Sequence, residues 1–242
     1  FKMNIYKNVT AVILAGGKGT RLAELTKVKP KPLIKIGNKP IIWHIMKIYS
    51  FYGINKFVIC LGFKGDLIKK DLSKYIKSEN WSIKFLNTGV NTMTGGRIKQ
   101  VKNLVKKDKF FCVSYGDGLS DVNIDKLIKF HIAKKKAATL TAIRYKNPKG
   151  ILSISKNFEI FKIKEKPLEY INGGFFVLTN KIFRYLKDNK SIFEEDCLPK
   201  LSKIKQLQAF KHNGFWVCMD TMREKIEINN IWQKKKAPWK VW

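Results

Sequence analysis

The chain has 242 residues, 45% of them hydrophobic, which is enough apolar mass for one sizeable core and excludes an intrinsically disordered protein. Its 49 basic and 18 acidic residues leave a formal charge of +31, a balance that by itself would point to nucleic acid or an anionic membrane. Only five of the basic residues are arginine and the lysines are spread along nearly every segment, so the excess reads as lysine-biased composition and not as a binding stripe.

No apolar run reaches membrane-spanning length, and residues 1–5 carry no signal-peptide core. Cys60, Cys112, Cys197 and Cys218 lie far apart without a C-x-x-C pair, as expected of reduced core thiols. The expectation is a cytoplasmic protein with neither nucleic acid nor membrane as a partner.

In chain order, a short apolar strand at 9–14 breaks into a glycine-rich loop: Leu14, Ala15, Gly16, Gly17, Lys18, Gly19, Thr20 and Arg21. Such a loop has little side-chain bulk and many backbone N–H donors, so it can close around a polyphosphate that Arg21 neutralises. The spacing is not that of a Walker A loop, and Leu22 stands where the dinucleotide fingerprint needs its last glycine. The run Lys29-Pro30-Lys31-Pro32 follows; its prolines keep the segment out of regular helix and hold Lys31 where its ammonium can reach a phosphate.

Further strands are predicted at 56–61, 82–86, 110–115 and 138–142, alternating with helical spacing at 41–51, 66–76, 98–105 and 124–133. That alternation predicts an α/β fold, a Rossmann-like three-layer sandwich whose ligand crevice lies at the carboxyl ends of a mostly parallel mixed sheet. Beyond Arg144 come closely spaced strands at 152–155, 159–164 and 173–178, a small antiparallel extension. Helices at 181–186 and 196–203, strands at 207–210 and 215–219, and a last helix at 223–233 follow, the last opened by a capping-box pattern at Thr221 and Glu224. No linker or repeat divides the chain, so 1–242 is expected to be one domain.

Asp117 follows the apolar run at 110–113 and Asp220 the run at 215–219, so both carboxylates sit at strand ends, where they can hold Mg²⁺. Asp117 also suits a turn between Gly116 and Gly118, and Asp220 a charge favoured by a helix N-terminus. Thr92, Gly95 and Arg97 belong to a second candidate nucleotide loop, for which a helix start with Arg97 exposed is the plainer alternative. Glu165, Lys166, Asn172 and Gly173 join two extended stretches; a carboxylate and an amide can bond sugar hydroxyls, and an ammonium can bind a sugar phosphate. His44 lies in a helical apolar run and reads as packed, and the tail tryptophans Trp232, Trp239 and Trp242 suit either packing on the domain or a subunit contact.

The pattern G-G-x-G-x-R-L with a following K-P-x resembles the signature of the sugar-1-phosphate nucleotidyltransferases. The segments at 40–46, 92–97, 115–118, 171–176, 214–221 and 237–240 carry the resemblance through nearly the whole chain, and are most similar to members that join CTP to glucose 1-phosphate. The resemblance implies an Mg²⁺-dependent enzyme, a homo-oligomer, that makes CDP-glucose and pyrophosphate, with its nucleotide-binding half at 1–144 and its sugar-phosphate-binding half and last helix at 145–242. Arg21, Lys31 and Asp117 would be catalytic, Asp117 and Asp220 the metal ligands. The loop from Leu14 to Arg21, with Lys31, Thr92, Gly95, Arg97 and Gly116, would hold nucleotide; Glu165, Lys166, Asn172 and Gly173 would hold the hexose phosphate. The same chemistry with UTP, dTTP or GTP, or nucleotide sensing without turnover, is the alternative.

Overall fold

The computed structural model describes Tyr6 and residues 8–22, 26–147 and 149–242, apart from the side chain of Arg21. Its strands are β1 (Thr10–Leu14), β2 (Lys35–Ile36), β3 (Lys39–Pro40), β4 (Lys56–Leu61), β5 (Ser82–Asn87), β6 (Phe111–Tyr115), β7 (Gly118–Ser120), β8 (Ala138–Lys146), β9 (Ile151–Ile154), β10 (Ile160–Lys164), β11 (Leu168–Leu178), β12 (Leu207–His212) and β13 (Trp216–Cys218). Seven of them form the central sheet in the order β12-β8-β11-β6-β1-β4-β5. Within it β11 alone runs against its neighbours, being antiparallel to both β6 and β8, while the other pairings are parallel. This is the Rossmann-like mixed sheet that the alternation of the sequence predicts.

The strand β1 shows why the sheet is covered on both faces. It pairs with β4 on one side and β6 on the other, and its residues enter two different cores: Ala11 and Ile13 the larger, Val12 the smaller. A central parallel strand buried on both faces reads as a continuous apolar run, as Ala11-Val12-Ile13 does. The helix Ile41–Phe51 covers one face, burying eight of its eleven residues. The helix Thr94–Gln100 lies on the other, where Ile98 joins the smaller core.

Three helical expectations are corrected. The predicted helix at 98–105 begins earlier, at Thr94, and is split into Thr94–Gln100 and Lys102–Val105. Its first turn lies so close to the segment 189–193 that a Cβ on Gly95 would stand 2.7 Å from the Ser191 carbonyl and one on Gly96 2.5 Å from that of Asn189. The predicted helix at 181–186 is a run of 3-10 turns, Asn180–Tyr185, pinned by the Asn180 amide, which donates to the carbonyls of Val105, Lys106 and Asp108. The helix expected from 196 starts as a wider turn, Phe193–Cys197, before Leu198–Lys203; Pro199 has no N–H to tie back to the turn before it.

The carboxy-terminal tryptophans pack on the domain. Trp239 is fully buried between Trp232 and Phe215, and Trp242 meets the edge of Trp43. His44 sits within this cluster, fully buried, its pKa lowered to about 4 by burial, so it is a neutral core residue. In contrast, the antiparallel pair β9–β10 stands apart from the sheet with Phe158, Phe161 and Ile163 largely exposed. Among the described residues no helix is long and apolar enough to cross a membrane.

Candidate active site

The site forms where β1 and β6, parallel neighbours, end side by side. The chain leaves β1 into the glycine loop and leaves β6 into Gly116 and Asp117. The cleft between has two lobes, cavities of about 320 Å³ and 560 Å³, which share Leu14, Gly17, Thr94, Gly116, Asp117 and Asp220. Ala15, Gly19, Thr20, Lys31 and Pro32 line the smaller lobe; Gly16, Thr92, Arg97, Tyr115 and Asn172 line the larger.

Two three-residue strands bring the carboxylates together. β7 starts directly after Asp117 and β13 ends two residues before Asp220, and they pair antiparallel with Gly118 opposite Cys218. The Met219 N–H donates to the Asp117 carbonyl at 3.0 Å, continuing that register to the residues that matter. The capping box predicted at Thr221 is present, and Glu224 Oε2 accepts from the N–H groups of both Asp220 and Thr221 at 2.7 Å, which fixes the backbone of Asp220.

Between the carboxylates lies the ammonium of Lys31. Its Nζ donates to Asp117 Oδ2 at 2.6 Å and to Asp220 Oδ1 at 2.7 Å. Pro30 is extended and Lys31 opens a 3-10 turn, Lys31–Leu33, so the backbone is stiff on both sides. Burial by itself would lower the pKa of Lys31; the carboxylates facing it outweigh burial, the net shift is upward, and the side chain is a cation. Cys218 completes the cluster: one donor atom from each of Asp117, Cys218 and Asp220 falls within 4.8 Å of the others. Burial foremost, then Asp117, pushes the Cys218 thiol up, so it is present as S–H.

These donors fit a divalent ion. Two carboxylates from separate loops, already holding a cation between them and open to a cleft, are the hard-oxygen arrangement that keeps room for water and phosphate oxygens.

Arg97 turns inward. Only 4% exposed, its guanidinium donates from Nη1 to the Leu61 carbonyl, Thr88 Oγ1 and the Gly89 carbonyl, and from Nη2 to the Gly16 carbonyl at 3.0 Å. The exposed Arg97 of the plainer alternative is therefore overturned, and its donors already serve the walls of the cleft. Thr92 hydrogen-bonds the Thr88 carbonyl at 2.5 Å and lines the larger lobe. Gly95 is buried in helix packing and borders no part of the cleft cavities.

Asn172 reaches the larger lobe because β11 shifts register against β8 between Asn172 and Phe176. Gly174 makes that bulge at φ +75°, where a Cβ would stand 2.6 Å from the Tyr115 ring. Gly173 presents its carbonyl to Trp216 Nε1 at 2.8 Å. Glu165 and Lys166 stand elsewhere: both are exposed at the end of β10 and line neither lobe. Lys18 is exposed, and the Arg21 side chain lies outside the described residues.

Sequence reasoning missed Glu194. Its carboxylate accepts from Tyr115 Oη and from Thr94 Oγ1, and Asn172 Nδ2 donates to Tyr115 Oη at 3.1 Å. The only signal was an acidic run, Glu194-Glu195-Asp196, in a chain of 18 acidic residues. Cys218 was also missed; the signal was its place two residues before Asp220, at the end of the apolar run.

A glycine loop, a lysine and two acids around one cleft define a phosphate-handling site of the nucleotidyl-transfer kind. The chain belongs to the nucleotidyl transferase family, whose model matches residues 10–234. Enzymes of this family use a divalent metal ion. The chain is similar to the glucose-1-phosphate cytidylyltransferase of Salmonella typhi, 43% identical over 96% of this chain and 99% of that protein. It is more distantly similar to the mannose-1-phosphate guanyltransferase of Schizosaccharomyces pombe, 30% identical over 86% of this chain and 60% of that protein. Among solved structures, HddC from Yersinia pseudotuberculosis superposes with a TM-score of 0.72 at 25% identity, covering 93% of this chain and 99% of that one.

Proposed function

We propose that the chain transfers a cytidylyl group from CTP to α-D-glucose 1-phosphate, giving CDP-glucose and pyrophosphate, with Mg²⁺ as its divalent ion. The observation that carries this reading is the convergence of Lys31, Asp117 and Asp220 beside the glycine loop, in a chain 43% identical to a glucose-1-phosphate cytidylyltransferase.

An oxygen of the sugar phosphate attacks the α-phosphorus in line, and the bond to pyrophosphate breaks with its electron pair leaving on pyrophosphate. That nucleophile is ionised near neutral pH, so no side chain is needed to take a proton. The barrier lies in bringing anions together, which positioning and fixed positive charge lower. Lys31 supplies an ammonium at the phosphoryl centre, and the N–H groups from Ala15 to Thr20 cradle the phosphates. Arg21, on the same loop, takes the leaving group. Mg²⁺ held by Asp117 and Asp220 would neutralise phosphate charge. Arg97 holds the walls against which Thr92 and the base lie. Asn172 and Gly173 contact the sugar, and when the β9–β10 hairpin comes over the cleft Glu165 accepts from the sugar hydroxyls and Lys166 takes the phosphate; family resemblance supports those two roles.

The same reading takes 1–242 as one working unit in the cytoplasm, where CTP and sugar phosphates are made, and as a homo-oligomer. The apolar side chains exposed on β9 and β10 support a second copy of the chain as partner.

Pyrophosphate release, measured with each of CTP, UTP, dTTP and GTP against glucose 1-phosphate and mannose 1-phosphate, tests the assignment. CTP with glucose 1-phosphate should be preferred at least tenfold. Preference for GTP with mannose 1-phosphate would move the chain to the second relative's chemistry, and binding without turnover would end the enzyme reading.

A further inference from the structure

The ammonium of Lys31 occupies the position a bridging cation would take. Its Nζ is 2.6 Å from one Asp117 oxygen and 2.7 Å from one Asp220 oxygen, and a divalent ion shared by the same two atoms would lie within about 2.0–2.6 Å of each. The two cations cannot sit there together. The Lys31 side chain is only 10% exposed, its backbone is fixed by Pro30 and Pro32, and its free volume is the smaller lobe beside Gly17, Gly19 and Thr20.

We infer that Lys31 acts as a lock on the metal site, excluding a free divalent ion until phosphate oxygens in the smaller lobe draw the ammonium off the carboxylates. The metal then enters as its nucleotide complex, and the carboxylate pair does not fill ahead of nucleotide. Lys31 thereby has a role before chemistry, in setting the order of binding, as well as its role at the phosphoryl centre. Only the destination of the released ammonium rests on the proposed nucleotidyl transfer; the competition between the two cations follows from the distances themselves.

The test is Mn²⁺ binding to the nucleotide-free protein, followed by the electron paramagnetic resonance signal of unbound Mn²⁺, in the wild type and in Lys31→Met and Lys31→Gln. Both variants should bind Mn²⁺ at least fivefold more tightly than the wild type, and that gain should vanish when Asp117→Asn is added. A gain smaller than fivefold, or one that survives Asp117→Asn, overturns the lock. Lys31→Gln keeps an amide that can donate to one carboxylate, so it carries the measurement if Lys31→Met does not fold by circular dichroism. Should Mn²⁺ tighten as expected in the variants while the wild type turns over no nucleotide, the lock stands and the proposed transfer reaction falls.

Discussion

The guanidinium of Arg97 donates to the carbonyl of Gly16 at 3.0 Å, tying the helix Thr94–Gln100 to the glycine loop after β1. The same group holds the Leu61 and Gly89 carbonyls and the Thr88 hydroxyl, so one buried side chain fixes three separate segments around the cleft. Lysine offers a single point of charge and cannot reach four acceptors in a planar fork. Arg97→Lys should therefore cost about 2–4 kcal/mol in urea unfolding, because buried carbonyls lose their donors. CTP binding should weaken alongside stability. Unchanged stability would mean that water replaces the lost bonds and that the guanidinium is not the tie.

Adjacent glycines should behave differently. A Cβ on Gly16 would lie 2.1 Å from Arg97 Nη1 and 2.9 Å from the Gly62 backbone nitrogen, whereas one on Gly17 would meet nothing within 4 Å. Gly16→Ala should lose about 1–3 kcal/mol through forced displacement of the Arg97 tie. Gly17→Ala should be within about 0.5 kcal/mol of the wild type, as for a surface change, and raise the KM for CTP, since its methyl group would face the nucleotide. Thermal melts of the two variants, compared with their KM values, separate the structural glycine from the ligand-facing one.

How much of this was legible in the sequence depends on the range over which each feature acts. The glycine loop after β1 and the Thr221–Glu224 capping box are local, and their residue types carry their own geometry. The two aspartates were recognisable as strand-end carboxylates, but the β7–β13 pairing that sets them side by side was not. Its strands are three residues each and distant in the chain, with no periodicity to announce the pairing. The resemblance makes Arg97 a nucleotide contact, and nothing local in the sequence shows that it also ties the cleft walls together. Gly95 and Gly96 bring its helix against residues 189–193, and a helix so placed turns Arg97 inward. Glu194 enters the cleft through a widened turn ahead of Pro199, a feature that a helical reading of 196–203 passes over.

Lys166 carries the assignment of the sugar phosphate. It is exposed and has φ +43°, a left-handed conformation that a lysine holds at some cost and glycine adopts freely. Lys166→Gly should thus leave stability within about 1 kcal/mol of the wild type while raising the KM for glucose 1-phosphate at least tenfold. The KM for CTP should stay unchanged. Steady-state kinetics with each substrate varied in turn decides this, and an unaltered KM for the sugar phosphate would leave the β9–β10 hairpin without a part in binding.

Two histidines set the acid limit of the fold. His44 is fully buried with Nε2 against the Ile36 carbonyl at 3.1 Å, so that nitrogen carries the proton, and Nδ1 has no hydrogen-bond partner among the described residues. His131 is 3% exposed, with Nδ1 2.9 Å from Thr139 Oγ1. Burial lowers both pKa values to about 4. A histidine depressed below its unfolded value of about 6.5 binds fewer protons folded than unfolded between those two limits, so stability rises with pH there. The stabilisation is complete above about pH 6.5 and is lost as pH falls from there towards 4, by about 2 kcal/mol per histidine at pH 5. Urea unfolding at pH 7 and pH 5 should show the loss, and His131→Gln should reduce the difference by roughly 2 kcal/mol, its share of the proton uptake. If the variant keeps the full pH dependence of the wild type, His131 is not held neutral in the folded protein.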